Sequence, residues 1–188
     1  MSFDGLDWHP PARPVALAYA ASTLDFLSGD WTVTRRIINH RTGQVGSFHG
    51  TASFQPAAET SPAEGGFGST LAYTESGELR LGGHRGPARR SLLVVDAGDG
   101  AADIRFADGR EFYRLDLRTG NCAAAHPCRM DQYHVTVMRL SADSYAETWR
   151  VTGPSKDYEL HTTYTRAAHT GTGHTSAASC AAGAGGRE

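Results

Sequence analysis

Phe26-Leu27-Ser28-Gly29-Asp30-Trp31-Thr32-Val33-Thr34-Arg35-Arg36-Ile37 is the stretch on which the fold turns. From Trp31 onward the residues alternate. Trp31, Val33, Arg35 and Ile37 fall on one face of an extended strand, and Thr32, Thr34 and Arg36 on the other. Upstream, Val15 to Phe26 contains good helix formers and runs into Ser28-Gly29, which predicts a short helix entering the strand. Downstream, Asn39 to Gly43 is a turn cluster, and alternation resumes over Val45 to Phe54 with Phe48, Gly50, Ala52 and Phe54 aligned. A loop over Gln55 to Gly68 leads to Leu71, Tyr73 and Glu75, a turn at Ser76-Gly77, and a strand over Glu78 to Leu81 broken by Gly82-Gly83.

The second half repeats this pattern. Strands are predicted over Ser91 to Asp96, through Ile104 and Phe106, and over Arg110 to Leu117, with Ala107-Asp108-Gly109 as a hairpin turn. Arg118 to Pro127 reads as a loop. Asp131 to Leu140, Tyr145 to Thr152 and Tyr158 to Arg166 complete eight to ten short strands at hairpin spacing. That pattern predicts an all-β protein, an up-and-down antiparallel β-barrel with a short N-terminal helix. No phosphate loop and no strand–helix alternation is present, which argues against a nucleotide-binding fold.

Composition narrows the function classes. The chain has 188 residues, with 18 basic against 20 acidic side chains and a formal charge of −2. That balance lacks the basic excess of a nucleic-acid binder. No apolar run approaches the ~18–20 residues of a membrane span, and the acidic, proline-broken start does not read as a secretory signal. Three cysteines make no disulfide framework, so a cytoplasmic location is expected. Residues 1–14 are expected to be loose, residues 15–166 to form the barrel, and the small-residue segment 167–188 to be a disordered tail. Cys180, His169 and His174 fall in that tail.

Two features mark the closed end of a barrel. Gly29-x-Trp31 opens the first strand, and Arg166 ends the last, where a guanidinium can stack on an indole plug. This resembles the lipocalin or calycin pattern, which implies a calycin-like barrel. A longer set of motifs resembles an uncharacterised bacterial family of single-domain, calycin-like proteins. They are Phe26 to Trp31 with Arg35, Leu71 to Gly77, Phe106 to Arg110, His126-Pro127-Cys128, Asp131-Gln132-Tyr133 and Trp149 to Tyr158. The resemblance implies the fold and no activity. It also implies a histidine near the end of the Gly-Arg-x-Phe strand, where this chain has Tyr113.

Alternation in a barrel sends every second side chain inward. Trp31 inward carries Arg35 with it. Tyr73 and Glu75 share a face, as do Asp131, Tyr133, Val135 and Val137; so do Tyr145, Glu147, Trp149 and Val151, and Tyr158 through Arg166. A lumen holding such charges needs internal pairs or a polar ligand. Arg35 is either a carboxylate clamp or a scaffold partner of Glu75. Arg35, Tyr73, Arg110, Trp149 and Tyr158 are the candidate ligand-binding residues. His126, Asp131, Tyr133 and Glu75 are the candidate proton carriers.

His126, Cys128 and Asp131 are the densest set of metal-ligand types, but a fourth group, His134 or His49, is not set by the spacing, and neither metal nor cofactor is expected. Lys156, the one lysine among 17 arginines, invites a Schiff base. Its turn position beside Asp157 speaks for a solvated ammonium instead. Three functions stay open: a barrel binding a small polar or partly aromatic molecule; a cofactor-independent isomerase, cyclase or dehydratase on the same barrel; and a structural or protein-interaction role. A homodimer is compatible with each. A solid lumen, with Arg35 and Glu75 satisfying each other and no cavity above about 300 Å³, defeats the first two.

Overall fold

The computed structural model describes residues 22–57 and 69–167. A short helix, α1 (Thr23–Leu27), precedes five strands: β1 (Gly29–Asn39), β2 (Gln44–Pro56), β3 (Thr70–Leu81), β4 (His84–Asp96) and β5 (Ala102–Phe106). Five more follow: β6 (Glu111–Leu115), β7 (Asn121–Cys128), β8 (Asp131–Arg139), β9 (Ser144–Thr152) and β10 (Asp157–Arg166). All ten form one antiparallel sheet in the order β6-β5-β4-β3-β2-β1-β10-β9-β8-β7. The first and last strands pair directly, from Trp31 opposite Arg166 to Asn39 opposite Tyr158. The sheet thus curls into a nearly closed barrel whose one unpaired seam lies between β6 and β7. Across that seam the strands meet through side chains, with Phe112 and His126 ring centroids 5.1 Å apart.

The inward rows expected in β1, β2, β9 and β10 are buried: Trp31 and Val33, Phe48 and Ala52, Trp149 and Val151, Thr162 and Tyr164. Trp31 plugs the base. Its Nε1 donates to the Leu27 carbonyl at 2.8 Å, and the Arg166 guanidinium lies 4.3 Å from its ring centroid. Arg166 also donates to the carbonyls of Ser28 and Phe26, fastening α1 over the barrel end. At roughly 25 cal/mol per Å² and about 150–250 Å² per aromatic side chain, burying the indole contributes on the order of 4–6 kcal/mol.

Several expected boundaries are corrected. The described helix is five residues, begun by Ser22, whose Oγ accepts from the Asp25 amide at 3.1 Å; residues 15–21 lie outside the described residues. So do the expected loose segment 1–14, residues 58–68 of the expected loop, and the tail beyond Ala167. Gln55 and Pro56 extend β2.

Ser76-Gly77 is not a turn; β3 runs straight through it. Gly77 sits opposite Gly50, and a Cβ there would come within 2.6 Å of the Gly50 Cα. The glycine pair lets the two strand backbones approach closely at this point.

β4 begins at His84 rather than Ser91 and contains Pro87. Only Leu92 to Asp96 pairs with β5, so Pro87 stands where one edge of β4 is unpaired and no ladder bond is lost. The expected loop over Arg118 to Pro127 is mostly β7, whose small residues Ala123 to Ala125 carry little strand signal of their own but pair with β8 along its length.

Candidate functional site

Above the Trp31 plug, the lumen is crossed by a polar network. Arg35 donates from Nη1 to Glu75 Oε1 at 2.9 Å, from Nη2 to Oε2 at 2.7 Å, and from Nε to Thr162 Oγ1 at 2.8 Å. Arg35 lies on β1 opposite Phe48 of β2, and Glu75 on β3 opposite Ala52; the guanidinium passes 5.1 Å from the Phe48 ring centroid and over Gly50, which has no side chain, to reach the carboxylate. Tyr73 donates its hydroxyl to Glu75 Oε2 at 2.7 Å. Arg90, from β4, donates from Nη2 to the hydroxyls of Tyr73 (3.1 Å) and Tyr164 (3.3 Å). Tyr113 and Tyr164 in turn donate to the two oxygens of Glu147, at 3.2 and 3.4 Å.

Within this network Arg35 and Arg90 balance Glu75 and Glu147; a further buried arginine, Arg139, lies apart from it, over the Phe26 ring at the base. Burial opposes the Arg35 charge, yet Tyr164 and Glu75 outweigh it and hold its pKa above the ordinary arginine value. Burial likewise pushes the Glu75 carboxyl up, but the Arg35 hydrogen bonds and the charges of Arg90 and Arg35 leave it below the ordinary value. Burial drives the Tyr73 phenol up to about 12. Burial and the neighbouring Glu147 raise Tyr113 and Tyr164 well above the ordinary phenol range. These tyrosines stay neutral hydroxyl donors at physiological pH.

The network leaves little open space. A cavity of about 30 Å³ remains at the centre, lined by Tyr73, Arg90, Tyr113, Glu147, Trp149 and Tyr164 among others. A larger cleft of about 560 Å³ opens at the β6–β7 seam, walled by Ile104, Glu111, Phe112, Tyr113, His126 and Pro127 with flanking charges. Ile104 and Tyr113 line both spaces. A register shift between Ile104 and Arg105 places consecutive residues of β6 on one side: Phe112 stacks on Trp149 at 5.2 Å and Tyr113 meets the same indole edge-on at 5.4 Å. Phe106 stacks on Phe112 at 4.7 Å, which extends the aromatic cluster at the seam.

The candidate residues divide into separate groups. Arg35, Tyr73 and Glu75 converge in the network, and Trp149 stands beside them. Asp131 and Tyr133 are bound instead to Lys156, whose Nζ lies 2.7 Å from Asp131 Oδ2 and donates to the Tyr133 hydroxyl at 2.6 Å. Those two partners hold the Lys156 pKa above its ordinary value, so it remains an ammonium and a poor Schiff-base nucleophile. Tyr158 is half-buried on the same rim, its phenol pushed up first by burial and then by Tyr133.

His126 faces the seam aromatics and is not joined to Asp131, whose carboxylate the lysine occupies. Arg110 is exposed at the β5–β6 turn, bound to Asp108 Oδ2 at 2.8 Å, and lines neither space. Among the described residues no three His, Cys, Asp or Glu side chains converge as a metal site; His49, His134 and Cys128 are exposed. Sequence reasoning missed Arg90, because its stretch reads as loop, and Phe112, because strict alternation puts it opposite Tyr113.

The chain folds as a nearly closed, ten-stranded antiparallel β-barrel with a helix-covered, Trp-plugged base. Among solved structures it is similar to the S-type phycobiliprotein lyase of Guillardia theta, with a TM-score of 0.58 at 10% identity over 77% of this chain and 90% of that one. It is also similar to a redesigned β-barrel bound to DFHBI, with a TM-score of 0.38 at 18% identity over 75% of this chain and 99% of that one. The chain belongs to the family of unknown function DUF6314, whose profile matches residues 27–166. A search of curated proteins gives no match. Among the described residues no helix is long and apolar enough to cross a membrane.

Proposed function

We propose that this barrel binds one small, polar and partly aromatic molecule at the β6–β7 seam, with one end of the ligand reaching the central cavity. The observation that carries this is the cleft of about 560 Å³, walled by Phe112, Tyr113 and His126 and adjoining the lumen. Its size falls within the ~300–1,000 Å³ typical of small-molecule sites. The lumen, with Arg35 and Glu75 satisfying each other and a cavity of about 30 Å³, is too full to hold a ligand wholly inside it, contrary to the expectation from the sequence, which leaves the seam as the site. Arg35 then serves as scaffold, its fork already filled by Glu75, and Arg90 takes the place nearest the ligand. His126 contributes its ring to the wall. Thermal-shift screening of the full chain against planar aromatic metabolites tests this. A ligand at about 100 times its Kd raises the melting temperature by roughly 5–10 °C. Phe112→Ala weakens that ligand about tenfold or more, and Arg80→Ala, at an exposed residue that lines neither space, leaves it unchanged. A panel without a single stabilising compound, or hits indifferent to Phe112→Ala, defeats the proposal.

A further inference from the structure

The central cavity specifies the chemistry of whatever reaches it. Trp149 is 4% exposed, and its Nε1 is buried without a hydrogen-bond partner among the described residues. Arg90 Nε is buried and unpartnered in the same way, and both residues line the cavity of about 30 Å³. The neighbouring hydroxyls are committed: Tyr73 donates to Glu75, and Tyr113 and Tyr164 donate to Glu147. Two unpartnered N–H donors thus belong to residues that line a space with room for about two water molecules or one small polar group, and not for a ring. A buried donor is costly until it meets an acceptor. The acceptor that fits is uncharged, because the four charges of the network beside this cavity, Arg35 and Arg90 with Glu75 and Glu147, already balance, and a further carboxylate would unbalance them in a desolvated site.

Resting on the binding site proposed above, we infer that the ligand belongs to the aryl carbonyls (ketones, quinones or lactones). Its neutral carbonyl oxygen accepts from Trp149 Nε1 and Arg90 Nε while its planar ring lies in the seam cleft against Phe112. The site is thereby selective for a carbonyl over both a carboxylate and a bare hydrocarbon.

The test titrates full-length, ¹⁵N-labelled protein with three probes of similar shape: 2-acetylnaphthalene, 2-ethylnaphthalene and 2-naphthoate. The chain has three indoles, Trp8, Trp31 and Trp149, and the signal missing from Trp149→Phe identifies the relevant one. The ketone binds at least tenfold more tightly than 2-ethylnaphthalene or 2-naphthoate and moves the Trp149 indole proton downfield. Trp149→Phe, which keeps a ring and removes the donor, abolishes the ketone's advantage over the hydrocarbon. The comparison of probes on the wild-type protein stands even if that variant folds poorly. Equal binding of ketone and hydrocarbon overturns the inference and leaves the seam site intact. Tightest binding by 2-naphthoate overturns the neutral-carbonyl assignment. Binding by none of the three overturns the inference together with the seam site on which it rests.

Discussion

Arg35 and Glu75 show how a single charge pair sets the interior of this barrel. Arg35 has three of its nitrogens engaged, two on Glu75 and one on Thr162. Removing one partner leaves the other charged and buried, which typically costs about 3–5 kcal/mol. Glu75→Gln is therefore expected to lose that order of stability in urea unfolding. The pH dependence has a defined sign. The folded Glu75 carboxyl lies below its ordinary value of 4.5, so its contribution is complete above that pH and is lost as pH falls through the folded pKa. The wild-type protein weakens in acid over that window, and Glu75→Gln weakens less; parallel acid titrations of the urea midpoint would contradict this. Lys156 teaches the converse lesson. It is unique in the sequence, yet Asp131 and Tyr133 hold it as a structural cation on the rim.

Glycine spacing and edge exposure govern the strands. At Gly77 an added Cβ would meet the carbonyl oxygen of His49 and the Cα of Gly50, backbone atoms that cannot swing aside. Gly77→Ala must push β2 and β3 apart, at a cost of ~1–3 kcal/mol. Gly83 has nothing within 4 Å of the equivalent position, so Gly83→Ala is the control and changes the urea midpoint little. Equal effects of the two substitutions would refute the close-approach argument. α1 depends on the barrel beneath it. Five residues are too few to hold a helix alone, and Arg166 supplies the tie through the Phe26 and Ser28 carbonyls. Arg166→Ala is expected to lose about 1–3 kcal/mol and to lower the melting temperature accordingly, because the Trp31 ring also loses its cover.

At the scale of the molecule, the barrel is uneven. β1 is paired on both sides, by β2 and β10, whereas β6 and β7 each lack one partner. Amides of β1 are expected to exchange with deuterium only on global unfolding, and amides of β6 and β7 directed at the seam to exchange orders of magnitude faster. Uniform protection around the barrel would show a closed seam and remove the route by which a ligand reaches the lumen. The seam is also where the polar interior comes nearest to the cleft, through Tyr113, which donates to Glu147 and lines both spaces.

Much of this architecture was legible along the chain. The inward row from Trp31 to Ile37, those of β9 and β10, and the meeting of Arg166 with Trp31 follow from two-residue alternation and from the plug-and-cover chemistry of a barrel end. Alternation is a local property, so it survives without knowledge of partners. Register is not local. Arg35 meets Glu75 across 40 residues of sequence, and Arg90 meets Tyr164 across 74. Neither meeting has a signature in either segment. The first half of β4 and most of β7 are strands only because a neighbour pairs with them, since Gly86-Pro87 and a run of alanines supply no strand preference. Phe112 turns inward because the register slips at Ile104. By itself the sequence determined an all-β barrel with charges inside. Which charges pair, which donors are left over and where the wall opens were decided by tertiary structure, because those depend on strands distant in the chain coming together at one level of the lumen.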